Sequence, residues 1–266
     1  MLQLAVGGKT VRGARDEQGR QLHLLGVYQA DPGVMLAQRE MRHKPHETLH
    51  FTAALDLIAD ITGAIVTADA LHAVADHAHY LHRRGAFGLF PVKENRSTLF
   101  AQLDTLDWDE HTNPHITVVR AEETNSGHHE IRIVRVQPLA PRQVNFPHAT
   151  RALPVERYTT GRGDGKIHAD AEPGITTAPA QTADAATLAR VLRGQRAIEA
   201  QHFVRDVTFG EDACRARTGS LPRALAIFRS LAISPTHLAG WTNNAAANDH
   251  YRNHPTDALR EFGLMG

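Results

Sequence analysis

The sequence predicts an α/β protein: a mixed sheet with flanking helices and a β-rich insertion ahead of the last helices. Three observations predict it. The first third reads as apolar strands separated by Gly, Pro and Asp. A continuous apolar run, Gly63–Thr67 (GAIVT), has helical patterns on both sides, as a buried parallel strand would. From about residue 113 to 177 Gly and Pro become frequent and short strand-like runs replace helices, after which helical spacing returns.

The elements run in order. Leu2–Val6 is a short strand, broken by Gly7-Gly8-Lys9 and Arg12-Gly13. Gln21–Tyr28 and Val34–Met41 are strands joined by the turn Asp31-Pro32-Gly33, so three antiparallel strands are expected. A helix runs from Glu47 to about Ala59, with Leu49, Phe51, Leu55 and Ile58 at near-helical spacing. The apolar strand Gly63–Thr67 then closes at Ala68-Asp69. Ala70–Arg84 is a helix with Gly85 as its C-cap, Phe87–Val92 a strand ending at Lys93, and Ser97–Leu106 a helix capped by Ser97. In the insertion, His115–Val119, Glu130–Val136 and Ala152–Tyr158 are expected strands. Gly161–Lys166 (GRGDGK) is a hairpin tip, lacking the spacing and the following Ser or Thr of a phosphate loop. Thr182–Ala213 and Leu221–Ala232 are helices, and Asn243–Gly266 reads as a frayed tail. The expected division is a first core part at 1–112, the insertion at 113–180, the last core helices at 181–240 and a tail at 241–266.

Composition narrows the function. Apolar residues make up 42% of 266 residues, enough for a sizeable core. No apolar run approaches the ~18–20 residues that span a bilayer, so no membrane partner is expected. MLQLAVGGKT lacks the basic flank and long apolar core of a signal peptide. The single Cys214 excludes internal disulfides, fits the reducing cytoplasm and reads as a small buried hydrophobe. The net charge is zero, yet only Lys9, Lys44, Lys93 and Lys166 among the 29 basic residues are lysines. A GC-rich genome accounts for that bias, and arginine still offers bidentate contacts to phosphate.

The chemistry concentrates in Gln195–Asp212, QRAIEAQHFVRDVTFGED. Glu199 lies three residues after Arg196 within helix-forming residues, and acidic Asp206, Glu211 and Asp212 come after it. Asp69 closes an apolar strand, the place where open α/β sheets put functional side chains. Two-ion phosphoryl transfer needs carboxylates converging on ions ~3.5–4 Å apart. The alternatives are structural: Asp69 as a helix N-cap, and Glu199 as an exposed residue paired with Arg196. Of 18 histidines, His72, His77, His79 and His82 share one predicted helix, but no H-E-x-x-H occurs, and they read as solvated side chains. Candidate DNA contacts are Arg12, Arg15 and Arg20, Lys93, and Arg190, Arg193, Arg205, Arg215 and Arg217. The alternative for each is a mixed-charge surface.

Several segments carry a family resemblance. AVGGKTVRGAR is similar to A-V-D-G-K-T-x-R-G-S, with QLHLLGVY next and Lys44 and Glu47 in a K-x-x-E pattern. VTADALH, VKENRSTL and IE…H…VRDVTFGEDA…RTG complete the match. Together they resemble the DDE-type insertion-sequence transposases of the H-repeat-associated group. The resemblance implies an RNase H-like fold, two magnesium or manganese ions, and cutting and joining of DNA at transposon ends. Of the three acidic ligands, Asp69 matches the second and Glu199 the third. Lys93, Arg12, Arg193, Arg196 and Arg205 would hold phosphates, with Asn95 helping to orient them. A homodimer and a cytoplasmic, nucleoid-associated location go with that reading.

Four departures set this chain apart from the group. Gly7, which has no ligand atom, stands in place of the first Asp. Arg196 replaces a usual Trp. One residue fewer separates Glu199 from Asp206, which rotates the rest of the helix by ~100° and puts Arg196, Glu199, Phe203 and Asp206 on one face. The N-terminal domain that ordinarily precedes this core is expected to be missing. In the insertion, Ser126–Arg132 is similar to H-G-R-x-E-x-R but keeps only Glu130 and Arg132. Two outcomes are expected: an impaired transposase, or a DNA-binding relic with negligible catalysis.

Overall fold

The computed structural model describes residues 1–15, 18–41, 47–125, 128–161, 166–216 and 219–265. They form two compact units. One comprises Met1–Leu2 and Asp60–Arg193, the other Gln3–Ala59 and Gly194–Gly266.

The second unit is built on the expected meander: β1 (Gln3–Arg15), β2 (Gln21–Gln29) and β3 (Val34–Met41), all antiparallel. β1 does not break at Gly7-Gly8 but runs through both. Glycine weakens a strand mainly because it packs nothing, and here neighbouring side chains supply the packing. A Cβ on Gly8 would stand 2.8 Å from the Glu47 carboxylate, and one on Gly7 would stand 3.1 Å from Ile198. The two glycines mark close approach of a helix to each face of β1. Helix α1 (Glu47–Leu55) is shorter than expected, because its last turn tightens to i→i−3 bonds from Leu57 and Ile58.

The other unit contains the predicted parallel step. β4 (Ile65–Thr67) and β5 (Phe87–Pro91) pair in parallel across helix α2 (Ala75–Arg83). The helix expected over Ala70–Arg84 is two pieces, a 3-10 turn at Ala70–His72 and then α2, separated by extended Val74. Helix α3 spans Ser97–Asp104. The insertion is a four-stranded antiparallel run: β6 (Thr117–Asn125), β7 (His128–Pro138), β8 (Arg151–Thr160) and β9 (Ile167–Thr176). β9 is not expected from the sequence, since Pro173-Gly174 interrupts its pattern. It joins the insertion to β5 through Leu89↔Thr176 and Phe90↔Ile175. Thr176 donates its hydroxyl to the Gly88 carbonyl at 2.9 Å, and the Thr177 hydroxyl accepts from the Gly88 amide at 2.8 Å. Leu188 and Val191 of α4 (Ala185–Gly194) pack with Ile65, Leu89, Val134 and Leu153 in the core.

The single helix expected over Thr182–Ala213 is α4 followed by α5 (Arg196–Val207). At the joint, a Cβ on Gly194 would overlap the Gln3 side chain, and the Gln195 amide donates to the Val6 carbonyl at 3.2 Å. α6 runs Leu221–Leu238, past its expected end. The tail is not frayed. It forms α7 (Asn244–Asn253), capped by the Asn243 side chain at 3.0 Å from the Ala245 and Ala246 amides, and α8 (Pro255–Glu261). No described helix is long and apolar enough to cross a membrane.

Candidate active site

Asp69 stands two residues beyond β4, and its Oδ1 accepts from the Leu71 amide at 2.9 Å. The capping role is therefore realised, while the side chain stays half exposed. The turn it caps is tied to the turn after β5: Arg96 donates to the Leu71 carbonyl at 3.0 Å. Asp69 and Lys93 thus lie on one sheet edge, at the ends of adjacent parallel strands. Lys93 pairs with Glu172 at 3.0 Å. That hydrogen bond and charge, helped by Asp69 and Asp170, raise the Lys93 pKa and keep it an ammonium. Lys93, Asn95, Phe100, Arg157, Asp170 and Glu172 line a cleft of about 580 Å³. Arg157 sits 3.7 Å from Asp170. Asp170 and Glu172 escape sequence reasoning, because only the β9–β5 pairing brings them to this edge.

In the other unit, β1 directs Ala5 and Gly7 toward Ile198 of α5, and Lys9, on the same face, toward Asp206. Ile198 is buried with Ala5 and Tyr28. Its neighbour Glu199 is exposed in the first turn of α5, where a carboxylate suits the helix dipole. Arg196 and Phe203 are exposed, whereas Asp206 turns inward. Both Asp206 oxygens accept from Lys9 Nζ at 2.6 Å.

Arg205, expected among the phosphate contacts, is 0% exposed and donates to Glu211 at 2.7 Å, so it is corrected to a structural residue. Lys9 also stands 3.7 Å and Arg229 3.5 Å from Glu211. Arg12 is exposed but pairs with Asp212 at 3.5 Å. The GKTVR and DVTFGED segments are therefore each other's ion-pair partners. Burial, then Arg205 and Lys9, push the His202 pKa down to about 3. Arg193 pairs with Glu123, and Arg132 with Glu130 across the surviving part of the insertion motif. Ser126, Gly127, Lys44, Arg217 and most of the GRGDGK loop lie outside the described residues. His72 and His77 are buried and stacked 5.2 Å apart, contrary to the solvated reading. His79 and His82 pack against His148.

A two-ion centre needs converging oxygen ligands. Gly7 offers no side-chain donor atom. Among the described residues no group of three or more His, Cys, Asp or Glu side chains could hold a metal ion. The first of the three carboxylates that the resemblance implies is therefore missing from the side chains at position 7.

An antiparallel meander in one unit and, in the other, a parallel βαβ step with a carboxylate just beyond its first strand make this a mixed α/β protein. The sequence profile described as Transposase DDE domain matches residues 5–234, and the chain belongs to that family. Relatives include "Putative protein YbfL" and "H repeat-associated putative transposase YhhI" of Escherichia coli (strain K12). Each is 25% identical over 240 residues, covering 87% of this chain and 63% of the relative. "Putative transposase YncI" of Escherichia coli O157:H7 is 25% identical over 238 residues, covering 87% and 60%. The chain thus spans less than two thirds of the length of these relatives. A solved structure of the piggyBac transposase synaptic complex with hairpin DNA aligns at 8% identity and a TM-score of 0.46. The alignment covers 86% of this chain and 44% of that one.

Proposed function

We propose that the chain is a transposase-type protein that acts on transposon DNA ends by strand cleavage and transfer, and that this copy is impaired in the chemistry. Family membership over residues 5–234 carries the reading. Asp69 and Glu199 are the surviving carboxylates of a magnesium- or manganese-dependent family. Arg12, Lys93, Asn95, Arg193 and Arg196 are the proposed DNA contacts. Each ion pair at Arg12, Lys93 and Arg193 is partly exposed, so a phosphate can displace its carboxylate. The proposed setting is cytoplasmic, with a homodimer as the assembly.

The second reading is a DNA-binding relic with negligible catalysis. Gly7, with Ile198 packed over it, favours that reading. The experiment compares nicking of supercoiled plasmid with manganese by the native chain and by Asp69→Ala, alongside duplex binding at low salt. The relic predicts binding without nicking. Robust native nicking abolished by Asp69→Ala would overturn it, and absence of binding at low salt would overturn both readings.

A further inference from the structure

Gly7 and Gly26 stand opposite one another in the β1–β2 register. A Cβ on Gly7 would lie 3.1 Å from Cγ2 and 3.2 Å from Cδ1 of Ile198. A Cβ on Gly26 would meet Met35 first, at 3.0 Å from Sδ and 3.2 Å from Cε, and would lie 3.6 Å from the same Ile198 Cδ1. Ile198 is 1% exposed and packs with Ala5, Tyr28, Met35 and Ala197. Neither glycine has a positive φ, so the backbone does not require glycine there. The two positions instead provide room.

We propose that position 7 is the floor of a docking socket in which Ile198 seats α5 on the meander, and that a side chain returned to position 7 competes with Ile198 for one volume. This rests on the reading of Gly7 as the first-ligand position. Carbon atoms prefer ~3.5–4.0 Å separation, so even a methyl at position 7 is tight while Ile198 stays in place. An aspartate would also put a carboxylate among Ala5, Tyr28 and Ile198, where it loses water. Restoring the missing carboxylate alone therefore does not rebuild a ligand. The helix beside Glu199 must first give up its isoleucine.

The test is a double-mutant cycle on the full chain, read by thermal melting: Gly7→Asp, Ile198→Ala and the pair. Residues that share a volume show non-additive effects. Gly7→Asp is expected to lower Tm by several degrees in the native background and to cost little or nothing beside Ile198→Ala. Equal losses in both backgrounds overturn the socket. If either variant fails to fold, Gly7→Ala and Ile198→Val repeat the cycle with smaller changes. Melting with added manganese separates the two ideas. Coupling together with a manganese-dependent rise in Tm of the double variant, lost on adding Glu199→Ala, supports both socket and ligand position. Coupling without that rise keeps the socket and removes the ligand reading of position 7.

Discussion

Asp69 illustrates how one residue meets two demands. Its Oδ1 caps the turn after β4, the purely structural role that competes with metal ligation at this position. Capping uses one oxygen, so the role fixes the side chain at the sheet edge without consuming it. His202 shows the opposite case, a residue that spacing alone does not single out. Its pKa falls to about 3 because burial and the neighbouring Arg205 and Lys9 charges oppose the imidazolium. The unfolded chain takes up that proton near pH 6.5, whereas the folded chain does not until about pH 3. The His202 contribution is therefore complete above pH 6.5 and is lost as pH falls through that window, at about 1.4 kcal/mol per pH unit. Urea unfolding at pH 7 and pH 5 should show a smaller decline for His202→Gln than for the native chain. Equal declines would mean that His202 is not shielded as described.

At the scale of elements, β1 and α5 meet through two kinds of contact along one strand face. Ile198 sits on Gly7, and Asp206 grips Lys9. Lys9 is 7% exposed and Glu211 fully buried, so the clamp is desolvated on one side. Lys9→Met should destabilise by about 3 kcal/mol. That is the low end for breaking a buried pair, because Asp206 keeps some water contact and Glu211 keeps Arg205. Lys9→Arg should recover most of the loss. Chemical denaturation decides it, and a change under about 0.5 kcal/mol for Lys9→Met, as at an ordinary surface site, would show that the clamp contributes little. Most elements of both units are legible in period and punctuation: the three meander strands, β4, β5 and α3. β9 is not, because Pro173-Gly174 breaks its pattern and its edge is defined by pairing with β5. The tail reads as frayed in sequence because its helices are polar. They are held by the Asn243 cap and by the Trp241 indole donating to the Tyr251 hydroxyl at 3.1 Å.

At the scale of the whole molecule, zero net charge conceals where cations are available. Three of the exposed ones carry partners: Arg12 with Asp212, Lys93 with Glu172 and Arg193 with Glu123. Binding to DNA would exchange those carboxylates for phosphates and release counterions. Lys93→Gln is expected to weaken duplex binding uniformly across sequences and to reduce the slope of log K against log salt by about 1. Fluorescence anisotropy over a salt series reads it, and an unchanged slope would remove Lys93 from the interface.

The sequence by itself determined the α/β class, the family and the positions of Asp69, Gly7 and Glu199, because strand period, turn residues and motif spacing are local properties. It also placed GKTVR and DVTFGED as separate motifs. Only the tertiary structure decided that these two segments neutralise each other, that Arg205 is buried beside Glu211, and that Ile198 fills the room above Gly7. The first and last of those outcomes depend on side chains that share a charge or a volume across nearly 200 residues of chain, and the second on the burial that this packing imposes on Arg205 and Glu211. Periodicity along the chain does not carry that information.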